Sequence, residues 1–121
     1  MGALFEASRQ FDLARLPELF CGFSRRPGEG PTRYPVACSP QAWASGAVFM
    51  LLQACIGLEV DAPGRTLRFN HGRLPVFLDH LRIENLAVGD ASVDLLLGRQ
   101  PQGMSVDVIR RRGDVEVVTI K

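Results

Sequence analysis

A chain of 121 residues with 46% hydrophobic residues, 22% charged residues and a formal charge of +1 has the size and composition of one soluble globular domain. The near-neutral balance removes any general electrostatic case for a nucleic-acid or membrane partner. The three cysteines, Cys21, Cys38 and Cys55, leave one over in any disulfide scheme, and no positively charged segment precedes an apolar signal at the N-terminus, so a reducing cytoplasm is the expected location.

Residues 2–11, GALFEASRQF, place Leu4, Phe5, Ala7 and Ser8 in a short helical pattern without a cap, as if it continued a longer helix upstream. Residues 12–16 turn the chain, and Pro17 biases Leu16 out of the α region. Glu18 follows, framed by Leu16, Leu19, Phe20 and Phe23. Buried in such a frame, a carboxylate has a raised pKa and is suited to proton transfer. Its ordinary role is that of a helix-start glutamate, with Pro17 at the first helical position. Residues 24–33, SRRPGEGPTR, are too rich in Gly, Pro and charge for a regular element and read as a loop. Arg25, Arg26 and Arg33 either form a solvated face there or meet a polar ligand.

Ser39 is a good N-cap and Pro40 suits the first helical position, so the spacing predicts a helix from Ser39 or Pro40 to Leu58. It carries no charge, and its polar side chains are Gln41, Ser45 and Gln53. A helix apolar on every face expects burial on more than one side. The run approaches the length of a bilayer span, but its glutamines, serine and glycines interrupt it and no second run exists, so no membrane partner is expected. Tyr34 and Trp43, the only Tyr and Trp in the chain, flank the predicted helix start. Aromatic rings beside polar groups suit a sugar, which offers a C–H face rimmed by hydroxyls; core packing is the competing role. Cys38 and Cys55, among apolar neighbours, read as small hydrophobes, whereas Cys21 lies beside Gly22 at the loop.

After Leu58 the pattern becomes β. Asp61, Pro63 and Gly64 punctuate the chain, Leu67 and Phe69 alternate with Thr66 and Arg68, and residues 74–78, LPVFL, form a short turn. Leu81 and Ile83 share one parity and Leu86 and Val88 the other, which predicts a bulge at Glu84 and Asn85. Ala91, Val93, Leu95 and Leu97 face one way. Residues 99–103 turn, Met104, Val106 and Val108 alternate, and Arg112, Gly113 and Asp114 read as a tight hairpin into Val115, Val117 and Thr119. Arg110, Arg111 and Arg112 then sit at a hairpin tip. The expected fold class is α+β: a helical segment with loop over residues 1–60, and a four-to-five-stranded antiparallel β meander over residues 61–121, packed on the helix. His71 and His80 lack metal-ligand spacing, and no phosphate loop, CxxC pair, Ser-His-Asp pattern or internal repeat is present, so no metal or cofactor is expected.

The combination RLPELFCGF, then YPVACSPQAW, then an apolar run ending in LLQACIGLEVDAP resembles the C-terminal portion of the bacterial amylo-α-1,6-glucosidases, the glycogen debranching enzyme family. The tail LRIENLAVGDASVDLLL is similar to the segment that closes those proteins, and the resemblance runs from about Leu4 onward. It implies that the N-terminal helices are the remnant of an (α/α)6 barrel and that the chemistry is inverting glycoside hydrolysis. In that chemistry one carboxylic acid protonates the leaving oxygen and a second carboxylate activates water. By its place in LPELF, Glu18 matches the general base, and Tyr34 and Trp43 fall near the substrate, an α-glucan or oligosaccharide.

The chain departs from the family in length. The barrel, most of its helices and the general acid lie upstream of the matched portion, and Glu6, Glu29, Glu59, Glu84 and Glu116 lie in no motif that resembles an acid site. An inverting site needs two carboxyl groups about 6.5 to 9.5 Å apart with water between them. The chain alone is therefore expected to be inactive. Two functions stay open: a portion of a debranching glucosidase completed by an N-terminal glucosidase partner, or a non-enzymatic carbohydrate- or protein-binding module that self-associates as a homo-oligomer.

Overall fold

A computed structural model describes residues 1–121. The elements are α1 (Gly2–Ser8), a 3-10 turn (Asp12–Ala14), α2 (Ala42–Ile56), β1 (Leu58–Asp61), β2 (Thr66–Asn70), β3 (His80–Val88), β4 (Ala91–Gln100), β5 (Gly103–Arg112) and β6 (Glu116–Ile120). The class is α+β. Two compact units, Met1–Leu51 and Leu52–Lys121, divide within α2, whereas the boundary read from the sequence lies near residue 60.

The first unit has a small core of Phe11, Leu16 and Ala44, with Ala7, Phe20 and Val48 against it. The Phe11 and Phe20 rings lie 5.8 Å apart, and the Arg33 guanidinium covers Phe11 at 5.0 Å from the ring centre, a cation–π contact. Residues 15–41 contain no helix and no strand longer than an isolated bridge. Glu18 is thus not a helix-start residue: Pro17 opens irregular backbone.

The predicted helix start also moves. Helix α2 begins at Ala42, so Ser39 is not its N-cap and Pro40 is not its first helical residue. The Gln41 N–H is taken by Leu16 O at 3.1 Å, and the first helical bond runs from Ser45 N–H to Gln41 O at 2.9 Å. The helix ends at Ile56 instead of Leu58 because Gly57 turns the backbone left-handed, with φ of 63°, and Leu58 enters β1.

Burial of α2 on several sides does not occur within these residues. Ala44 and Ile56 are buried and Val48 and Leu52 half-buried, a stripe at four-residue spacing, while Trp43, Phe49 and Met50 are 64%, 71% and 69% exposed. Cys38 and Cys55 are exposed too, which corrects their reading as packed hydrophobes; none of the three cysteines is in a disulfide.

The second unit is not a single meander. Its strands form two three-stranded sheets, β1-β2-β6 and β3-β4-β5. Glycine at position 113 turns the chain with φ of 76°, but β6 does not fold back on β5; it runs parallel to β2, pairing Thr66 with Glu116 and Phe69 with Thr119. Val115, 1% exposed, draws the chain into the core at that point, and Glu116 N–H bonds Arg65 O at 2.8 Å. Arg110, Arg111 and Arg112 therefore lie on β5 opposite Asp94, Val93 and Ser92, not at a hairpin tip. Both sheets feed one core, in which Leu67 and Phe69 of β2 meet Val93, Leu95 and Leu97 of β4.

The bulge predicted at Glu84 and Asn85 is present: the β3 register shifts between Ile83 and Leu86, and Asn85 has φ of 53°. A bulge removes an amide from the ladder. Asp94 takes it up, accepting Asn85 N–H at 2.8 Å while its other oxygen accepts Arg110 Nε at 2.7 Å, with the Asp94 side chain only 8% exposed. The Arg110 hydrogen bond, then the Asn85 amide, holds the Asp94 carboxyl below its ordinary value.

A depressed carboxylate contributes stability that is complete above its unfolded-state value of about 3.9 and is lost as pH falls through the lower folded-state value. Asp94→Asn is therefore expected to lower Tm at pH 7, with the gap to the parent closing below about pH 4; thermal melts of both proteins across that range check it. At Gly57 a Cβ would lie 2.1 Å from Asn70 O as well as adopt a positive φ. Gly57→Ala is expected to cost more than about 1 kcal/mol in urea unfolding.

Candidate functional site

The two motifs singled out by their sequence, LPELF and YPVACSPQAW, are held against each other by cross-chain hydrogen bonds. Gln41 N–H donates to Leu16 O at 3.1 Å, and the Ser45 hydroxyl lies 2.8 Å from Gln41 O and 3.4 Å from Leu16 O. Glu18 N–H donates to Cys38 O at 2.9 Å, Phe20 and Arg33 form an isolated antiparallel bridge, and Cys21 N–H donates to Thr32 O at 2.9 Å. Partners run 41, 38, 33, 32 against 16, 18, 20, 21. The segments thus pair antiparallel without forming a regular ladder, since Pro17, Pro31, Pro35 and Pro40 remove donors from both sides.

Glu18 sits in the middle of this pairing. Its carboxylate Oε2 accepts Cys38 N–H at 3.3 Å, so Glu18 and Cys38 bond reciprocally through two backbone amides, one carbonyl and one carboxylate. The side chain is half-buried. None of the ion pairs of the molecule includes it: the cations of this unit go elsewhere, Arg25 to Glu6 and Arg26 to Glu29. A half-buried carboxylate fixed at one oxygen and unpaired with a cation can accept a proton from a water on its free oxygen.

Tyr34 opens a turn closed by Ala37 N–H on Tyr34 O at 3.1 Å, between the Phe20–Arg33 bridge and the Glu18–Cys38 bonds. It is 46% exposed, and Trp43, in the first turn of α2, is 64% exposed. Neither ring belongs to a hydrophobic core. No contact joins either ring to Glu18.

A cavity of about 910 Å³ lies elsewhere in the same unit. Leu4 and Glu6 of α1 and Arg9 just after it line it with Phe20, Phe23 and Arg25; Glu18, Tyr34 and Trp43 do not. The Arg25 side chain bonds Glu6 across its mouth and holds the Glu6 carboxyl below its ordinary value. This pairing spans nineteen residues of sequence and left no local signal. The sequence also gave no sign of Leu16 O, Gln41 and Ser45 as the groups that position the site, because a backbone acceptor has no signature.

His71 and His80 are exposed and belong to the second unit. No group of three or more His, Cys, Asp or Glu side chains is arranged to hold a metal ion.

A glutamine can accept the Cys38 amide through its carbonyl oxygen, whereas alanine cannot. Glu18→Gln is expected to leave Cys38 amide exchange near the parent rate. Glu18→Ala is expected to speed it, with a loss of about 1 kcal/mol in local stability; hydrogen exchange of the three proteins checks both. Compared with protein-family models, with curated proteins and with solved structures, the chain matches none.

Proposed function

We propose that the chain is the closing portion of an amylo-α-1,6-glucosidase of the glycogen-debranching type, in which the loop of residues 16–41 supplies the general base and an (α/α)6 barrel of a larger glucosidase partner supplies the acid. The observation that carries this reading is the setting of Glu18: half-buried, fixed by the Cys38 amide, with no cation bound to it, in the middle of the two motifs on which the resemblance rests. In the inverting reaction Glu18 takes a proton from the water that attacks the anomeric carbon, while a carboxylic acid on the opposite face of the sugar protonates the departing glycosidic oxygen. Tyr34 and Trp43 offer aromatic faces to the C–H face of an α-glucan or oligosaccharide. The setting is cytoplasmic. No helix of the chain is long and apolar enough to cross a membrane.

A second reading, a non-enzymatic binding module that self-associates, is favoured by the exposure of Trp43, Phe49 and Met50 on α2. Activity separates the two. The chain is isolated from its own cells under native conditions, with and without its co-purifying partners, and glucose release from α-1,6-branched glucan is measured. Release by the complex and none by the free chain is the expected result. In that complex Glu18→Gln is expected to reduce the rate by about 10²- to 10⁴-fold without change in fold. Full activity of the variant removes Glu18 from the chemistry, and absence of release from every complex removes the glucosidase reading.

A further inference from the structure

The loop of residues 21–32 closes on itself at its base, where Cys21 N–H donates to Thr32 O at 2.9 Å. Between those ends it meets the N-terminal segment at two places. Arg25 bonds the Glu6 carboxylate, and Gly30 packs so near Gln10 that a Cβ on it would lie 3.0 Å from the Gln10 side chain. At the tip Arg26 bonds Glu29 at 3.2 Å, and Glu29 N–H donates to Arg26 O at 3.3 Å. The loop is thus tied at its base, its tip and both flanks, and it walls the cavity of about 910 Å³ against α1. Small-molecule sites have volumes of about 300 to 1,000 Å³.

The lining says what kind of molecule fits. Its cations are Arg9, Arg25 and Arg26 and its carboxylates are Glu6 and Glu29, so one positive charge is in excess. Arg25 and Arg26 are each engaged by a carboxylate of the same lining, whereas no ion pair includes Arg9. After Arg25, Arg9 also acts through space on the Glu6 carboxyl, which places its charge at this cavity. A guanidinium outside any ion pair can take a carboxylate through two parallel N–H bonds. Leu4, Phe20 and Phe23 supply apolar wall, and Phe23 is 69% exposed. A neutral ligand such as a sugar could cover these rings but would leave Arg9 without a counter-ion, and a cationic one would add to the excess. An anion with an apolar body answers both features. Two of the three large apolar side chains are phenylalanines, and ring–ring contacts gain beyond the area they bury, which favours an aromatic body over an alkyl chain.

We propose that the cavity between α1 and the loop of residues 21–32 binds a small aromatic monocarboxylate, its carboxylate on Arg9 and its ring against Phe20 and Phe23. Glu18, Tyr34 and Trp43 do not line this cavity, so the site stands or falls independently of the glucosidase reading.

The experiment titrates the full chain with naphthoate by calorimetry, using neutral naphthylmethanol and cationic naphthylmethylamine as matched probes. Cys21 lines the cavity and Cys38, an exposed cysteine, does not, so alkylation of each by iodoacetamide, resolved by mass spectrometry, locates the bound probe. Naphthoate is expected to bind saturably and to slow Cys21 alkylation while leaving Cys38 unchanged. Naphthylmethanol is expected to bind at least about tenfold more weakly, and naphthylmethylamine more weakly still. Arg9 is exposed and outside the ion pairs, so Arg9→Gln is expected to keep the parent Tm and to weaken naphthoate at least about tenfold. Arg15→Gln makes the same charge change outside the cavity and is expected to leave the affinity unchanged. No binding of naphthoate, equal binding of the three probes, equal slowing of Cys21 and Cys38, or parent affinity in Arg9→Gln overturns the proposal. The comparison of probes uses the parent chain alone, so it decides the matter even if a variant fails to fold.

Discussion

The antiparallel pairing of residues 16–21 with residues 32–41 is the constraint on which the first unit depends. Neither segment forms a regular strand, so its shape comes from a few cross-chain bonds and not from a ladder. The Gln41 N–H bond to Leu16 O joins the end of the loop to the residue before α2. The Phe11, Leu16 and Ala44 core then closes around the same junction, so the loop and the helix start are positioned by one set of contacts.

Both units use a carboxylate to take up a backbone amide at an irregularity, and the two cases differ in an instructive way. Asp94 accepts the Asn85 amide freed by the bulge and is also bound to Arg110, with its side chain almost fully covered. Its two oxygens are spent, and the pair is structural. Glu18 accepts the Cys38 amide with one oxygen and has no cation. A buried carboxylate needs its charge compensated, whereas a half-buried one does not need a cation. The same local device therefore stands with an arginine in one place and without one in the other.

Where local pattern decides structure, the sequence was legible. The alternation of β2 and β4 and the parity switch around Glu84 and Asn85 appear as strands and a bulge, because side-chain parity is a property of neighbouring residues. The destination of β6 was not legible: Arg112, Gly113 and Asp114 carry the residue types of a hairpin, and burial of Val115 with parallel pairing to β2 overrides them. The helix start failed for a similar reason. Ser39 and Pro40 make a good cap by composition, but the helix begins at Ala42, with Gln41 N–H bonded to Leu16 O across the chain. At the site, Glu18 stood out by its hydrophobic frame, while its partner Cys38, twenty residues away, carried no signal beyond the motif that contains it.

The size of the first core links the site to the exposed helix. Phe11, Leu16 and Ala44 are the only buried hydrophobic residues of a unit that runs from Met1 to Leu51, and single exposed hydrophobes are ordinary on any surface. Several on one uncharged helix are not. A unit with so little buried apolar area has little stability in hand against the entropy of ordering its loop. Any partner that binds the folded form adds stability as RT ln(1 + [L]/Kd), and that stability acts on the whole unit.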